Sequence, residues 1–244
     1  MIRSINTLNR NMNILQKKQE NTSNNIANTN TPGYKYQEIV QSTMENHTMV
    51  NYTEGRQASS RRELGNWVFG NEIDQVYTNT DQGQFVETGD PLDYAIPDRS
   101  YFSVDLAGGE RAYTRNGNFA LDADNRLVTM EGHQVVGTLA DGTESEILLD
   151  QNGNIQNGAR LQLVQFPEGA ELERIGDTLF TDPAGVGQVV DGEAVKGFLE
   201  MSNVIVADEM VRLIQIAREF EANQKALQTS DETLSKAVND IGRV

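Results

Sequence analysis

The sequence predicts a mixed α and β fold, in which long N- and C-terminal helices form a coiled-coil-like pair around a central antiparallel all-β domain. Two observations support this prediction. Apolar residues recur at alternating steps of three and four near both ends of the chain, which is the spacing of a helical seam. Between the ends, short runs of β-branched and aromatic residues are separated by Asn-Gly and Asp-Gly pairs, which favour tight hairpin turns.

The N-terminal helix is predicted within residues 1–30. Its seam positions are Ile5, Leu8, Met12, Leu15, Gln19, Thr22 and Ile26. The seam is apolar at its start and at its end and polar between them. An ordinary amphipathic surface helix is therefore an equally good interpretation of this segment taken by itself.

The C-terminal helix, placed within residues 199–244, shows the same pattern more strongly. Its seam positions are Met210, Leu213, Ala217, Phe220, Gln224, Leu227, Asp231, Leu234, Val238 and Ile241. The sequence has neither Pro nor Gly between residues 203 and 241, so an unbroken helix would be roughly 55–60 Å long. Gln224 and Asp231 argue against a simple two-stranded coiled coil, and a helix of this length needs partners for its apolar stripe.

The central β domain is predicted between residues 81 and 198. Its candidate strands are residues 92–96, 101–106, 118–121, 126–130, 134–139, 146–149 and 160–166. The turn signals between them are Gly108-Gly109, Asn116-Gly117, Asp141-Gly142, Asn152-Gly153 and Asn157-Gly158. Strands at this spacing, without a helical pattern between them, indicate an antiparallel arrangement. Residues 31–80, which include the sole tryptophan, are interpreted as an extended connector with some β structure.

The composition argues against several functional classes. The 244 residues carry a formal net charge of −16, which disfavours binding to nucleic acid or to an anionic membrane. Cysteine is absent, so disulfides, a thiol nucleophile and Cys-ligated zinc are excluded. The sequence contains neither an apolar run long enough to span a membrane nor, in its first residues, the apolar core of a secretory signal peptide.

The sequence predicts no catalytic, metal or cofactor site. His47 and His133 lie in different regions, and neither has a second histidine at ligand spacing. The acidic segment 122–127 resembles the start of a calcium loop, but Leu127 and His133 stand where such a loop needs Gly and Glu. We interpret this segment, and the similar one that follows Asp150, as hairpin turns, and the abundant carboxylates as a solvated acidic face.

The segment SNNIANTNTPGYK, residues 23–35, is the most specific polar feature of the chain. Its Asn and Thr side chains suit a backbone that is leaving a helix. Pro32 cannot continue the helix and pushes Thr31 toward extended geometry, and Gly33 permits a turn. Near the other end of the chain, Ser202 and Asn203 are candidate N-caps of the C-terminal helix.

These segments resemble the two signatures of the flagellar rod and hook protein family. In the first signature, the matching residues are Ser23, Asn24, Asn25, Ala27, Asn28, Thr31, Pro32, Gly33 and Tyr34. In the second, they are Gly197, Leu199, Glu200, Ser202, Asn203, Val204, Glu209, Met210, Arg218, Phe220 and Glu221. Residues 81–96 and 111–137 resemble further blocks of the family, so the resemblance covers nearly the whole chain. The departures, at Asp90 and at residues 97–100, concern turns of the β domain.

The resemblance implies a structural subunit of the flagellar rod, of the distal-rod or proximal F-type kind, that assembles into a torque-transmitting helical tube in the basal body. It implies three partners: other rod and hook subunits, further copies of the chain, and the flagellar type III export apparatus, which passes the chain without a cleavable signal peptide. Enzymatic activity, a small-molecule substrate and membrane insertion are not expected. The alternative is a self-contained β-domain binding protein, similar to an adhesin, that is dimerised by a coiled coil.

Overall fold

The computed structural model of the chain describes residues 2–52, 61–150, 154–156, 158–167, 169–170 and 172–241. The helices are α1 (Ile2–Ala27) and α2 (Val206–Ile241). The strands, in chain order, are β1 (Gln37–Thr43), β2 (Asn46–Tyr52), β3 (Arg61–Val68), β4 (Asn71–Thr78), β5 (Phe85–Glu87), β6 (Tyr94–Ala95), β7 (Tyr101–Asp105), β8 (Arg111–Thr114), β9 (Phe119–Leu121), β10 (Leu127–Thr129), β11 (Gln134–Thr138), β12 (Glu144–Glu146), β13 (Arg160–Leu161), β14 (Leu163–Gln165), β15 (Glu173–Ile175), β16 (Leu179–Thr181), β17 (Gln188–Val190), β18 (Val195–Lys196) and β19 (Phe198–Glu200). The predicted mixed fold, with a helix near each end and an antiparallel β-rich region between them, is confirmed.

The start of α2 differs from the sequence prediction. The helix begins at Val206 and runs for 36 residues, roughly 54 Å at 1.5 Å per residue. Ser202 and Asn203 are therefore not its N-caps. The Ser202 Oγ accepts a hydrogen bond from the Val204 N–H at 3.3 Å, and the Asn203 side chain binds other partners, described below. Acidic residues in the first turn, among them Glu209, stabilise the N-terminus of α2 through their interaction with the helix dipole.

The chain divides into two compact units. Unit 1 consists of Met1–Ile26, Gln37–Thr78 and Val206–Val244, and unit 2 consists of Ala27–Tyr36 and Asn79–Ile205. Two of the four boundaries, between residues 26 and 27 and between residues 205 and 206, lie at the end of α1 and the start of α2.

Unit 1 combines the helices with the antiparallel ribbons β1–β4 and β2–β3. A bulge shifts the register of β1 against β4 between Val40 and Gln41. The Arg10 guanidinium of α1 donates to the sulfur of Met44, which follows β1. A Cβ added at Gly70, which precedes β4, would lie 3.7 Å from the Thr7 methyl group. The first turns of α1 therefore pack against the end of the β1–β4 ribbon.

Unit 2 is built on an antiparallel sheet whose strand order is β15-β16-β8-β7-β11-β10-β9. Strands β12 and β13 also pair with β11, and β14 pairs with both β7 and β17. The pairs β18–β6 and β19–β5 bring late strands of the unit onto early ones. The core consists of Tyr94, Ile96, Phe102, Val104, Ala112, Phe119, Leu127, Val135, Ile147, Leu149, Leu163 and Leu179.

The predicted turns of unit 2 use their glycines in different ways. Gly109, between β7 and β8, and Gly142, between β11 and β12, have φ angles of +78° and +83°, as tight hairpins require. Gly117 does not adopt a positive φ. A Cβ at this position would lie 1.7 Å from the Tyr94 carbonyl oxygen, so close packing requires the glycine. Segment 122–127 connects β9 to β10 as a hairpin turn, with Asn125 at a φ of +58°. Residues 151–153 and 157, which hold other predicted turn positions, lie outside the described residues.

Within the described ranges, no helix is both long and apolar enough to cross a membrane. The same residues contain no group of three or more His, Asp or Glu side chains that could hold a metal ion. The His47 ring packs against Phe69 with 5.1 Å between ring centroids, and the His133 N–H donates to the Thr129 hydroxyl at 3.2 Å. The His47 ring thus makes a packing contact, whereas the hydrogen bond of His133 is made by its backbone.

Candidate functional site at the two motifs

The segment of the first signature, residues 23–35, which we call the first motif, ends α1 with a stabilised turn. The Thr31 N–H donates to the Asn28 carbonyl at 3.2 Å, and the Thr31 hydroxyl donates to the Asn28 side-chain oxygen at 2.9 Å. The Tyr34 N–H then donates to the Thr31 carbonyl at 3.3 Å, across Pro32 and Gly33. Proline in the second position, followed by a residue with φ of +71°, matches the requirements of a type II turn.

Within unit 2, Gly33 is the point where the first motif meets the segment of the second signature, residues 197–221, which we call the second motif. Its N–H donates to the Glu200 carbonyl at 2.7 Å. A Cβ at Gly33 would lie 2.2 Å from the Asn116 nitrogen and 2.4 Å from the Arg115 carbonyl carbon. Position 33 therefore requires glycine for two reasons, the positive φ angle and the close approach of the Arg115 and Asn116 backbone.

The Glu200 side chain forms a buried ionic cluster, which we call the Glu200 cluster. Its carboxylate lies 2.6 Å from the Lys35 ammonium and 3.1 Å from the Arg115 guanidinium, and each of the three side chains is 1% exposed. The Gly83 N–H donates to the same carboxylate at 2.9 Å, and the Lys35 ammonium also donates to the Asp81 carbonyl at 2.7 Å. Four segments far apart in sequence are thus held together by charge-assisted hydrogen bonds.

The Glu200 cluster holds two cations and one anion, which sets its electrostatic properties. Burial lowers the pKa of Lys35, and the Glu200 carboxylate raises it by less. The Arg115 guanidinium carbon lies 5.0 Å from the centre of the Tyr101 ring, whose negative face favours the cation. Burial also raises the pKa of Tyr101, so the phenol stays neutral beside the cluster. The cluster depends on the Glu200 charge, because loss of one partner leaves the others buried and uncompensated.

Asn203 of the second motif fastens the same region through its side-chain amide. Its oxygen accepts a hydrogen bond from the Tyr36 N–H at 2.7 Å. Its NH₂ group donates to the carbonyl groups of Asn79 and Asp81, each at 3.0 Å. The Tyr36 carbonyl in turn accepts from the Asn79 N–H at 2.8 Å. The amide therefore joins the chain that leaves the first motif to the chain that enters the β domain.

The two motifs also meet in unit 1, at Asn25 of α1, which is fully buried. The Asn25 NH₂ group donates to the Gln37 carbonyl at 2.8 Å and to the Glu209 carboxylate of α2 at 2.9 Å. The Glu209 carboxylate also lies 3.5 Å from the Arg212 guanidinium, which donates to the Glu38 carboxylate of β1 at 3.0 Å. We call this set of contacts the Asn25 joint. It ties α1, α2 and the start of β1 together.

The remaining motif residues lie in varied surroundings. Ser23, Asn24 and Ala27 are exposed on α1, and Met210 is exposed on α2. Tyr34 is buried, with the Arg174 guanidinium carbon 4.5 Å from the centre of its ring. Some of the motif residues therefore make contacts within the chain, and others have side chains exposed to solvent.

The predicted seam of α1 is largely covered. Leu15 is buried, and Ile5, Leu8, Met12 and Ile26 are partly buried. Ile14, which lies outside the predicted seam, is also buried. The face of lower exposure is thus broader than a strict seam would be.

The predicted seam of α2 divides between two faces. Leu213, Phe220, Leu227 and Leu234 are partly buried, whereas Met210, Ala217 and Val238 are exposed. The intervening positions of lower exposure are Ile216, Asn223, Ser230 and Ala237. Together with the four partly buried residues, they form a row with steps of three and four. Each of them lies one residue before the position that the predicted seam has there, which is Ala217, Gln224, Asp231 or Val238. The role of the seam in assembly remains a prediction.

Sequence reasoning did not identify several residues of these contacts. They are Lys35, Arg115 and Gly83 in the Glu200 cluster, and Gln37 and Arg212 in the Asn25 joint. Two signals could have identified Lys35 and Arg115. Lys35 is the last residue of the first motif, and Arg115 lies in residues 111–137, which resemble a further segment of the family. Their pairing with Glu200 spans 165 and 85 residues, and local patterns do not indicate contacts at such distances.

Comparison with known families matches the chain in separate segments. Residues 5–35 match the description "Flagella basal body rod protein", residues 95–171 match "Flagellar hook protein FlgE/F/G D1 domain", and residues 195–240 match "Flagellar basal body rod FlgEFG protein C-terminal". The first and third segments contain the residues of the Asn25 joint that lie in α1 and α2. The second contains Arg115.

Similar proteins match over nearly the full length. The flagellar basal-body rod protein FlgG of Bacillus subtilis (strain 168) is 33% identical, over 98% of this chain and 99% of its own. FlgG of Borreliella burgdorferi is 32% identical, over 98% of each chain. The rod protein FlgF of Rhizobium meliloti (strain 1021) is 30% identical, over 93% of each. This chain therefore belongs to the flagellar basal-body rod protein family.

Proposed function

We propose that this chain is a structural subunit of the bacterial flagellar rod, which assembles with copies of itself and with other rod and hook subunits into a helical tube that transmits torque. The observation that carries the proposal is the convergence of the two motifs on the Glu200 cluster and the Asn25 joint. Both tie an N-terminal segment to a C-terminal one through buried hydrogen bonds. Such fixed connections suit a load-bearing subunit, because they hold the ends of the helices in defined directions.

In this proposal, residues 1–30 and 199–244 form the axial core of the rod, with α1 and α2 paired in a coiled-coil-like arrangement. Residues 31–80 act as the connector, and residues 81–198 as the β domain. The incomplete burial of Leu213, Phe220, Leu227 and Leu234 within the chain supports the pairing. Further burial against neighbouring subunits would contribute about 25 cal/mol per Å² of apolar surface.

The proposal places the chain in the basal body, reached through the flagellar type III export apparatus. A sequence without cysteine suits a chain that must fold outside the cytoplasm without forming disulfides. The function is structural, so no catalytic residue, cofactor or nucleic-acid partner is assigned.

The experiment replaces one seam residue and its exposed neighbour on α2. Leu227→Asp places a carboxylate on the partly buried row, whereas Gln228→Asp places it on the exposed side of the helix. In cells that depend on this gene, we expect Leu227→Asp to abolish swimming and to remove the chain from isolated basal bodies, because an ionised carboxylate is costly to bury. Gln228→Asp should leave both unchanged. Normal swimming with Leu227→Asp would contradict the helix pairing, and absence of the unaltered chain from basal bodies would contradict the rod function.

The alternative, an adhesin-like protein dimerised by a coiled coil, is not favoured by the family membership. It predicts a stable dimer of the purified chain in dilute solution. Sedimentation analysis distinguishes the two functions, since a rod subunit that needs neighbours on several sides should be monomeric before assembly.

A further inference from the structure

An apolar face of α2 points away from the contacts that the helix makes within unit 1. Met210, Val211 and Ile214 are 53%, 54% and 53% exposed, whereas Glu209 and Ile216 are buried. At 100° per residue, the exposed set lies on the opposite side of the helix from Ile216, Leu227 and Leu234. Three large apolar side chains in adjacent turns form a continuous outer face, which we call the α2 outer face.

A second apolar face lies on the β1–β4 ribbon of the same unit. Ile39 and Gln41 are two residues apart on β1 and so point to one side, and their partners on β4 are Val76 and Ile73. The bulge between Val40 and Gln41 brings Ile73 and Val76 to the same side, although they are three residues apart. They are 40% and 52% exposed. This side, the ribbon outer face, is opposite to that of Glu38, which binds Arg212 of α2.

The charges beside the two faces are complementary. Asp74 follows Ile73 at the bulge in β4, where the register gives it no Cα partner on β1, and it is exposed. On α2, Arg218 and Lys225 follow Val211 at intervals of seven residues, so they continue the outer face along the helix. The neighbouring row on α2, which starts at Ile214, continues seven residues later to the acidic Glu221. The row that starts at Val211 carries the basic side chains, so it is the one that suits an acidic strand.

We propose that the α2 outer face of one copy of this chain packs on the ribbon outer face of the next copy. The proposal rests on the proposed rod function and specifies one of its subunit contacts. The occupant is a second copy because each chain carries both faces. In addition, unit 1 has 12 basic and 14 acidic residues, and unit 2 has eight and 22, so their net charges are −2 and −14. Contact between copies meets less repulsion at unit 1 than at unit 2.

The contact is heterologous, because different faces of the two copies meet. Such a contact leaves one free face at each end of a pair, so it continues into an open helix unless the rotation closes a ring. The test uses the absence of cysteine from the sequence. A full-length chain with both Val76→Cys and Ile214→Cys should form a ladder of disulfide-linked oligomers when rods isolated from cells are oxidised. A mixture of the two single variants should form dimers.

The matched control combines Gln75→Cys with Ile214→Cys. Gln75 is adjacent to Val76, but its partner is Val40, so it points to the other side of the ribbon. A disulfide requires Cα atoms about 4.4–6.8 Å apart, so the control should not form the ladder. A ladder of equal strength in the control, or dimers alone from the double variant, would overturn the proposal.

Charge reversal tests the contact without cysteine chemistry. Asp74→Arg and Arg218→Asp should each deplete the chain from isolated rods, and the two changes together should restore it. If the unaltered chain enters rods while the cysteine pair stays unlinked and the double reversal restores nothing, the proposed contact is wrong and the rod function stands. If the unaltered chain does not enter rods, the rod function itself is wrong.

Discussion

Unit 2 is built around a buried apolar core, whereas unit 1 buries few of its apolar side chains. Phe102 and Val104 lie fully buried in the core of unit 2. Among the described residues of unit 1, the buried apolar side chains are Ile14, Leu15 and Ile216. The exposed apolar residues of unit 1 include Trp67, Val68, Phe69, Ile73, Val76, Tyr77, Met210, Val211, Ile214 and Val238. The difference indicates that unit 2 is stabilised by its own core, while unit 1 has apolar surface that neighbouring subunits can cover.

The largest effect is expected from truncation of a core residue in unit 2. Phe102 is fully buried, and its ring packs edge-on against Phe119 at 5.2 Å between centroids. Phe102→Ala should lower the free energy of unfolding of the purified chain by about 4 kcal/mol, through lost burial and the cavity left behind. Urea unfolding followed by circular dichroism measures this change.

Phe220→Ala on α2 is the matched variant in unit 1. Its ring is only partly buried in the chain, so we expect a loss below about 1 kcal/mol in the purified protein. Assembly into rods should nevertheless fall. Equal destabilisation of the purified chain by the two variants would contradict the difference between the units.

The second prediction concerns the Glu200 cluster. Glu200→Gln preserves the shape of the side chain but leaves Lys35 and Arg115 buried without a counter-charge, so it should cost about 3 kcal/mol of stability. Asp191→Asn is the control, because the Arg160–Asp191 pair is exposed to solvent. It should cause no measurable change in the urea midpoint. If the two variants unfold at the same midpoint, the Glu200 cluster does not stabilise unit 2.

The third prediction separates backbone strain from close packing at the end of the first motif. Gly33 and Gly89 have nearly the same φ, +71° and +72°. A Cβ at Gly89 would have no atom within 4 Å, whereas one at Gly33 would meet backbone atoms of Arg115 and Asn116. Gly89→Ala should therefore cost about 1 kcal/mol from φ strain, and Gly33→Ala about 2 kcal/mol or more. Equal melting temperatures for the two variants would show that the close approach at Gly33 is relieved without cost.

The helices and the β-rich region could be predicted from the sequence because their signals are local. Apolar spacing marked both helices, and the Asp-Gly and Gly-Gly pairs marked the turns at Gly142 and Gly109. The start of α2 could not be predicted in this way. Asn203 suits an N-cap by residue type, but its amide binds Tyr36 and Asn79, which are 167 and 124 residues away. A long-range contact therefore overrode a local preference.

The residues of the site were predictable where they belong to a motif and unpredictable where they are partners of one. Glu200, Asn25 and Glu209 were assigned from the family resemblance, but nothing in their spacing indicates a buried ionic cluster. Arg115 follows β8 and reaches Glu200 because the sheet brings that strand end beneath the turn at Gly33. Such a position is set by the packing of the whole unit.

The smallest expected effect is a pH dependence of unit 2 that comes from Lys35. Burial lowers the pKa of Lys35 in the folded protein below its ordinary value of 10.5. Between these two pKa values the unfolded chain binds more protons than the folded chain, so stability should rise with pH across this window. The Lys35 contribution is present above 10.5 and is lost as the pH falls through the lowered pKa. Burial raises the pKa of Tyr94, Tyr101 and Tyr113, so these tyrosines lower the stability as the pH rises above about 10.

Urea unfolding of the unaltered chain and of Lys35→Met across this range isolates the lysine contribution, since the tyrosine contributions largely cancel in the difference. The unaltered chain should gain stability relative to Lys35→Met as the pH rises toward 10.5, by up to about 1.4 kcal/mol for each unit by which the pKa is lowered. A difference that does not change with pH would show that Lys35 keeps its ordinary pKa, and that the Glu200 carboxylate fully compensates its burial.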